Sequence, residues 1–208
     1  KKGYPTITIR KFSRDPYTVV DFVNNNTASI QAFATLWQAV QNLSNILVVG
    51  GTGTGKTSFL NVVNLFNPPR RRIVTIEDTP EIRLPATFEN EVGMITTDDN
   101  VEGKGGIAYY ELLMNSLRQR PDLIILQEIR RVAEARVGFE AMKTGHGFAA
   151  TFHATKAKEA LDRLRNDPIN IAEDDLNALD MIVVLNRNNQ TNRRRVVSIC
   201  EVNVEEIG

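Results

Sequence analysis

Short apolar runs recur along this chain, and turn residues flank most of them. Four runs have the length of a strand and lie at Ile46–Val49, Ile73–Ile76, Leu123–Leu126 and Phe148–Phe152. Continuous apolar runs of this length are typical of parallel strands that are buried on both faces. Helical patterns separate the runs, so the sequence predicts an α/β fold with helices on both faces of a mostly parallel sheet.

The helical patterns are segments in which apolar residues repeat every three or four positions. The first predicts a helix over 29–42, with Ser29 or Thr27 as its cap. The others are a helix-like stretch at Phe59–Val63, a helix marked by Ile107, Tyr110, Met114 and Leu117, a helix marked by Val132, Ala135, Phe139 and Met142 and closed by Gly145, and a helix over 156–165 opened by Thr155.

The two ends of the chain follow a different pattern. Polar and apolar residues alternate at Thr6–Ile9 and Tyr17–Val20, which predicts two short strands or an extended lead-in over residues 1–28. Near the other end, Asp180–Leu185 and Arg195–Val204 predict a β-hairpin. We therefore expect one domain over residues 29–208, preceded by the remnant of a linker or of an N-terminal domain.

Composition narrows the possible functions. The 208 residues are 42% hydrophobic, and 25 Lys and Arg balance 25 Asp and Glu, so a protein that coats nucleic acid is not expected. Cys200 is the only cysteine, which indicates a reducing compartment. The basic runs Arg70–Arg72 and Arg193–Arg195 are expected to be solvated clusters at turns.

The most specific pattern is G-x-x-x-x-G-K-T, which runs from Gly50 to Thr57 between an apolar run and a helix-like stretch. Glycines let consecutive N–H groups point at phosphate oxygens, and the helix that follows adds the positive end of its dipole. The Lys can reach the β- and γ-phosphates, and the Thr hydroxyl can bind Mg²⁺. The loop predicts a nucleoside triphosphate site that comprises Gly51, Thr52, Gly53, Thr54, Gly55, Lys56, Thr57 and Ser58.

Carboxylates follow two of the predicted strands. Glu77 and Asp78 come directly after one run, and Glu128 follows another after Gln127. Ligands of open α/β sheets bind at the carboxyl ends of the strands. A phosphate-loop enzyme needs one acid near Mg²⁺ and a base that orients water, and these residues could supply both. The alternative is that one of them only caps a helix or pairs with an arginine.

Four ordered segments resemble the secretion and pilus-assembly ATPases of type II and type IV systems, including archaeal pilus and archaellum motors. Gly51–Ser58 is similar to the Walker A loop of that family and Thr75–Pro85 to its aspartate box. Ser116–Arg130 is similar to its Walker B segment with the preceding arginines, and Ala141–Ala154 to its histidine box. The resemblance implies a RecA-like domain that uses ATP and Mg²⁺ and assembles into a hexameric ring, although the isolated core could also be a monomer.

The resemblance also implies roles for individual residues. Glu77 would be the general base, and Glu128 would bind Mg²⁺ through water beside Thr57, although the two glutamates could exchange roles. Arg118, Arg120 and, less directly, Arg83 would neutralise phosphate charge, and His146 and His153 would lie near the γ-phosphate. Without the resemblance, both histidines would be taken as structural, because their spacing does not suit zinc.

Some features depart from the family pattern. Gln127 stands where the family usually has Gly, and Arg131 stands where it often has Gly or Asp. The N-terminal domain of the family is also expected to be missing here, cut off, or supplied by another chain. The resulting prediction is a cytoplasmic ATPase that works with a membrane platform protein and not with nucleic acid. Two alternatives stay open, a low-turnover ATP-binding assembly subunit and a conjugative DNA-transfer motor.

Overall fold

A twisted sheet forms the centre of the fold, which a computed structural model describes for residues 7, 9, 15–97 and 106–203. Within these residues the sheet has seven strands in the order β3-β2-β4-β5-β1-β6-β7, and only β6 and β7 pair antiparallel. The strands are β1 (Ile46–Gly50), β2 (Ile73–Glu77), β3 (Glu91–Ile95), β4 (Leu123–Ile129), β5 (Gly147–Phe152), β6 (Met181–Arg187) and β7 (Arg194–Glu201). The prediction of a mostly parallel α/β sheet with a C-terminal hairpin is confirmed.

Helices cover both faces of this sheet. They are α1 (Val19–Asn24), α2 (Ile30–Gln41), α3 (Lys56–Asn64), α4 (Tyr109–Ser116), α5 (Val132–Lys143), α6 (Ala157–Arg165) and α7 (Glu173–Leu176), with a 3-10 turn at Leu117–Gln119. Alternate residues of each central strand enter opposite cores, because successive side chains of a strand point to opposite faces. Leu47 and Val49 pack with α4 to α7, whereas Ile46 and Val48 pack with α1 to α3.

The strand predicted at Tyr17–Val20 is wrong, because α1 begins at Val19. Thr18 caps this helix. Its hydroxyl accepts from the Asp21 N–H, and the Asp21 carboxylate accepts from the Thr18 N–H. Such reciprocal capping favours a helix over the strand that alternation alone suggested. The strand predicted at Thr6–Ile9 lies outside the described residues, apart from residues 7 and 9.

Two predicted helices are present, but α4 buries a different face, and α2 buries only Phe33 and Val40 of its predicted face. In α2 the predicted cap Ser29 accepts from the Ala32 N–H, yet Ile30 and Trp37 are 68% and 51% exposed. In α4 the residues taken as the buried face include Tyr110 and Met114, which are 44% and 40% exposed. The buried residues lie beside those positions: Phe33, Leu36, Ala39 and Val40 in α2, and Tyr109, Leu113 and Ser116 in α4.

The end of α5 is as the sequence predicts. Gly145 has φ +87°, and its N–H donates to the Met142 carbonyl, while the His146 N–H donates to the Ala141 carbonyl. This pair of bonds is a Schellman motif, which requires a left-handed residue and so favours glycine. The motif turns the chain directly into β5.

Asn45 ties three strands together at the amino edge of the sheet, just before β1. Its side-chain oxygen accepts from the Phe148 N–H at 2.8 Å, and its amide donates to the Ala178 carbonyl at 2.7 Å. Its backbone N–H donates to the Asp180 carboxylate at 2.6 Å. These bonds fix β1 between β5 and β6, so that the loop after β1 emerges at a defined place on the opposite edge.

The sequence patterns did not indicate the edge strand β3 or the short helix α7. In β3, only Val92 and Met94 turn toward the core, and a glycine interrupts the strand, so its apolar signal is weak. Among the helices of residues 15–97 and 106–203, none is both long enough and apolar enough to cross a bilayer.

Candidate functional site

A cleft of about 890 Å³ opens at the carboxyl edge of the parallel strands, where a ligand of an open α/β sheet is expected. The loop between β1 and α3, here called the phosphate loop (residues 50–58), forms one wall. The ends of β2, β4 and β5 form a second wall, and Asn24–Thr27 with the β6–β7 loop form a third. The cleft therefore combines segments that are far apart in the sequence.

The phosphate loop has the backbone that its glycines predict. Gly53 and Gly55 have φ +72° and +88°, a region that residues with a side chain rarely adopt. Gly55 is also the N-cap of α3, and no side chain of the described residues caps that helix. The first N–H groups of a helix have no partner within it. They are therefore available to an anion in the cleft, and the helix dipole favours negative charge there.

Lys56 is 9% exposed and lines the same cleft. Its ammonium donates to the Gly50 and Gly51 carbonyls at 3.0 and 3.1 Å, which uses two of its three protons. Burial lowers the pKa of Lys56, and the nearby charge of Glu128 opposes that shift. The Lys56 charge is thus held between the phosphate loop and the acid at the end of β4.

Polar and charged side chains from three strand ends form a continuous chain beside Lys56. Glu128 contacts His153 Nε2 at 2.7 Å through one carboxylate oxygen and accepts from Arg130 Nε at 2.5 Å through the other. The same guanidinium donates to Asp78 at 2.5 Å. Burial by itself would lower the pKa of Arg130, but its hydrogen bonds and charge interactions with Glu128 and Asp78 outweigh that effect and raise the pKa. This chain, Asp78–Arg130–Glu128–His153, joins the ends of β2, β4 and β5.

Neighbouring residues hold both ends of this chain in place. Arg163 of α6 donates to the His153 carbonyl and lies over the Phe152 ring, with its guanidinium carbon 4.7 Å from the ring centroid. At the other end, the buried Gln127 accepts from the Asp78 N–H at 3.0 Å and donates to the Thr79 carbonyl at 3.2 Å. Gln127 therefore ties the end of β2 to β4, which is a structural use for the side chain that departs from the family pattern.

Glu77 lies next to the cleft, but its side chain does not line it. Among the described residues, one carboxylate oxygen accepts from the Glu81 and Ile82 N–H groups at 2.7 and 2.6 Å. Glu77 is 5% exposed, and burial raises its pKa, although the two N–H groups partly offset this. A carboxylate with a raised pKa accepts a proton more readily near neutral pH.

Three other predicted site residues lie at the opposite edge of the sheet. Arg118 and Arg120 precede β4, and His146 precedes β5, whereas the cleft is at the far ends of these strands. A strand of seven residues spans roughly 20 Å, so a single copy of the chain does not bring them to Lys56. The His146 ring lies beside the Thr144 hydroxyl and the Ala141 carbonyl, at the end of α5.

Arg83 is half-buried beside α3 and does not line the cleft. Its backbone N–H donates to the Asn61 side chain at 3.4 Å, and Asn61 also donates to the Glu81 carbonyl at 2.7 Å. The structure thus brings together the phosphate loop, Glu128 and His153, with Glu77 beside them.

Sequence reasoning did not assign Arg130 to the site, and it placed Asp78 at a strand end that faces the ligand without giving it a role of its own. Their positions contain a usable signal, since Arg130 is two residues beyond Glu128 in an extended strand and shares its face. Asp78 directly follows Glu77 at a strand end that was already expected to face the ligand.

The expectation that both arginine runs are solvated clusters is wrong for Arg71 and Arg72, which are half-buried; Arg72 donates through Nε to the Gln119 carbonyl at 2.8 Å. Arg194 is exposed as expected, but it also lines the cleft. Arg194 donates through Nε to the Gly53 carbonyl of the phosphate loop at 2.9 Å. Arg71 donates to the Val40 and Gln41 carbonyls and to the Asn67 side chain. The Arg194 contact depends on the pairing of β6 with β1, which no local pattern in the sequence indicates.

The donor set suits a nucleotide with Mg²⁺ better than a metal held by protein alone. Within the part of the chain that the structure describes, no three His, Cys, Asp or Glu side chains form a metal cluster. Mg²⁺ is usually held by one or two carboxylates, water and substrate phosphates. Thr57 and Glu128, which both line the cleft, would hold it together with phosphate oxygens.

Comparison of the sequence with known proteins identifies its family. Residues 3–202 match the family model described as type II/IV secretion system protein. An uncharacterized protein of Methanocaldococcus jannaschii is 38% identical over 202 residues, which are 95% of this chain and 36% of that protein. The probable conjugal transfer protein TrbB of Sinorhizobium fredii is 31% identical over 207 residues, 95% of this chain and 60% of that protein.

The fold has close counterparts among solved structures. The crystal structure of the VirB11 ATPase from the Brucella suis type IV secretion system, in complex with sulphate, superposes with a TM-score of 0.68 at 23% identity. The match covers 92% of this chain and 65% of that one, and it confirms the predicted RecA-like fold. The chain thus spans about a third to two thirds of the length of these three proteins.

Proposed function

The chain belongs to the family of type II/IV secretion system proteins, and we propose that it is the ATP-hydrolysing core of a motor for secretion, pilus or archaellum assembly. The observation that carries the proposal is the convergence of three segments, the phosphate loop and the ends of β4 and β5, on one cleft. The phosphate loop, Lys56, Glu128 and His153 all line it, although they span about half of the sequence.

Different residues of the cleft would bind the phosphates and the Mg²⁺ ion. The free N–H groups at the start of α3 and the Lys56 ammonium would bind the phosphates, because they place positive charge at one wall of the cleft. Mg²⁺, when bound, would neutralise phosphate charge and align the reacting groups. Glu128 would bind it through water beside Thr57, and His153 holds that carboxylate in place from the end of β5.

Glu77 is the proposed base, because its raised pKa suits proton transfer from water. For this role, its carboxylate has to turn from the Glu81 and Ile82 N–H groups toward the cleft. Catalytic hydrogen bonds often form only when the substrate is bound. Asp78, the next residue, already lines the cleft, so the required displacement is local.

A ring of subunits accounts for the residues at the far edge of the sheet. We propose that Arg118, Arg120 and His146 act on the nucleotide of an adjacent subunit, where guanidinium groups would stabilise phosphate charge. A mixing experiment tests this. Subunits with Lys56→Ala and subunits with Arg118→Ala and Arg120→Ala should recover part of the activity when combined, and no recovery would contradict the shared site.

The central experiment measures phosphate release and ATP binding by Lys56→Ala. We expect turnover to fall at least 100-fold, because the variant loses the cation that reaches the β- and γ-phosphates. Lys158→Ala is the control, since Lys158 is exposed on α6 and does not line the cleft. Equal turnover in Lys56→Ala and Lys158→Ala would contradict the proposed function.

A conjugative DNA-transfer motor is the second candidate, because a relative that is 31% identical is named a probable conjugal transfer protein. The balanced charge of the chain gives it no support, since DNA-binding surfaces are usually basic. Turnover that rises with added DNA would favour this candidate. Nucleotide-dependent assembly with negligible phosphate release would favour a low-turnover assembly subunit.

The proposed setting is the cytoplasmic side of a membrane, with attachment through a platform protein. ATP and the reduced state of a lone cysteine both suit that compartment. Cofractionation of the chain with membranes only when the platform protein is present would test this part of the proposal.

A further inference from the structure

The β6–β7 hairpin meets the phosphate loop on the side opposite to the acids. In the sheet order, β5 and β4 lie on one side of β1, whereas β6 and β7 lie on the other. Glu128 and His153 therefore approach the loop from the first side. The turn of the hairpin approaches it from the second, because β6 runs parallel to β1 and ends at the same edge.

Two arginines of this hairpin pack against Gly53 and Gly55, the phosphate-loop glycines with positive φ. Arg194 donates through Nε to the Gly53 carbonyl at 2.9 Å, and its Cδ is 3.1 Å from where a Cβ on Gly55 would lie. Arg187 Nη1 is 3.0 Å from the corresponding position on Gly53. Asn192 braces Arg187 by accepting from its Nη2 at 2.6 Å.

The Arg194 bond fixes part of the surface that would meet phosphate. The Gly53 carbonyl and the Thr54 N–H belong to one planar peptide unit, so holding the oxygen also sets the direction of the N–H. Glycine-rich backbone has more conformations to lose than other backbone, and a loop held in one of them binds its ligand at lower entropic cost.

We propose that Arg194 is a positioning residue of the nucleotide site, which holds the phosphate loop in its triphosphate-binding conformation through the Gly53 carbonyl. The inference rests on the proposed function, since it requires that the loop bind a triphosphate. It assigns to the hairpin a part in binding the triphosphate moiety, whichever base is attached.

The control variant comes from the same basic run, Arg193–Arg195. Arg195 is adjacent to Arg194, equally charged and also exposed, but it does not line the cleft. If the loss of affinity for triphosphate depended on net charge alone, Arg194→Ala and Arg195→Ala would show it equally. A loss that follows the Nε bond would appear in Arg194→Ala and Arg194→Lys, because lysine keeps the charge but has no N–H at that position.

The experiment measures the dissociation constants of ATP and of inorganic tripolyphosphate by calorimetry. For Arg194→Ala and Arg194→Lys we expect about tenfold weaker binding of both ligands, or ~1.4 kcal/mol, with the kinetic loss in KM and not in kcat. Arg195→Ala should bind both ligands as wild type does. Hydrogen exchange at residues 53–57 should be faster in Arg194→Lys than in Arg195→Ala.

Wild-type affinity of Arg194→Lys for tripolyphosphate, or an equal loss in Arg195→Ala, would overturn the inference. Arg194→Lys carries the test if Arg194→Ala does not fold. A wild-type chain that binds neither ligand would contradict the proposed function instead, so the two failures are distinguishable.

Discussion

Replacing Glu77 by glutamine separates the two tasks that its carboxylate can perform. One task is structural, since the side chain accepts from the Glu81 and Ile82 N–H groups and so holds the turn after β2. The other is the proposed one, in which the carboxylate takes a proton from the water that attacks the phosphate. Glutamine keeps an oxygen that can accept both hydrogen bonds, but it cannot act as a base. The variant therefore preserves the turn and removes the chemistry.

The expected effects on stability and on rate differ in size and in direction. Loss of the charge weakens two hydrogen bonds, which costs about 1 kcal/mol each if charged bonds are worth about 1.5–3 kcal/mol and neutral ones about 0.5–1.5. The substitution also removes a carboxylate that is 5% exposed, and burial of an ion costs several kcal/mol. We therefore expect equal or higher stability. Turnover should fall ~100-fold or more, the usual contribution of a general base.

The raised pKa of Glu77 adds a pH signature. Because the pKa of Glu77 is higher in the folded state than in the unfolded state, folding favours the protonated carboxyl. The stability that Glu77 contributes is fully present below its unfolded-state pKa and is lost as pH rises through its folded-state pKa. The free energy of unfolding of wild type should thus fall over this window more steeply than that of Glu77→Gln. Above this pH range, the free energy of unfolding of Glu77→Gln should be higher, relative to that of wild type, than it is below the range.

Urea unfolding across this pH range, ATP binding and phosphate release measure the three effects. Glu91→Gln is the matched control, because burial also raises the pKa of Glu91, yet it begins β3 at the edge away from the cleft. ATP binding should persist in both variants. If Glu77→Gln keeps turnover within threefold of Glu91→Gln, Glu77 only supports the turn, and its assignment as the base is refuted.

Two further predictions concern the framework around the cleft. Asn45→Ala should lower the free energy of unfolding by about 2–4 kcal/mol in a urea titration, because it removes both side-chain hydrogen bonds and leaves their partly buried backbone partners unpaired. The exposed Asn166→Ala should change it by less than about 1 kcal/mol. Gly55→Ala should weaken ATP binding more than Gly145→Ala. Both substitutions add strain at φ near +88°. Only the Cβ at residue 55 would also press on Arg194, whose Cδ is 3.1 Å away. Equal ATP binding by the two variants, with unequal losses of stability, would contradict this prediction.

The sequence allowed the phosphate loop and the central strands to be predicted, because both depend on local patterns. Glycines at positive φ and apolar runs of strand length carry their structural meaning within a few residues. The α1 helix was missed for the opposite reason. Its reciprocal cap between Thr18 and Asp21 competes with an alternating pattern that extends over only four residues, and the cap prevails.

Contacts between distant segments were beyond local patterns. Nothing near Arg194 in the sequence indicates that it binds a loop about 140 residues earlier, because that contact depends on where the hairpin joins the sheet. Arg130 was likewise not assigned, since its two carboxylate partners come from different strands. The predicted buried face is wrong in α4, where Tyr110 is exposed, and only partly right in α2, where Trp37 is exposed. Both helices contain apolar residues on more than one face, so spacing alone did not identify the buried one.

The two histidines show why proximity in sequence does not establish a shared site. His146 and His153 are seven residues apart, but they flank β5, a strand of six residues that spans roughly 20 Å from one edge of the sheet to the other. Only His153 reaches Glu128 and the cleft. If both histidines respond to one γ-phosphate, that phosphate must lie between the carboxyl edge of one copy and the amino edge of another. The spacing that makes the histidine motif recognisable is then a requirement for an assembly, because a parallel strand cannot present both of its ends to a single ligand.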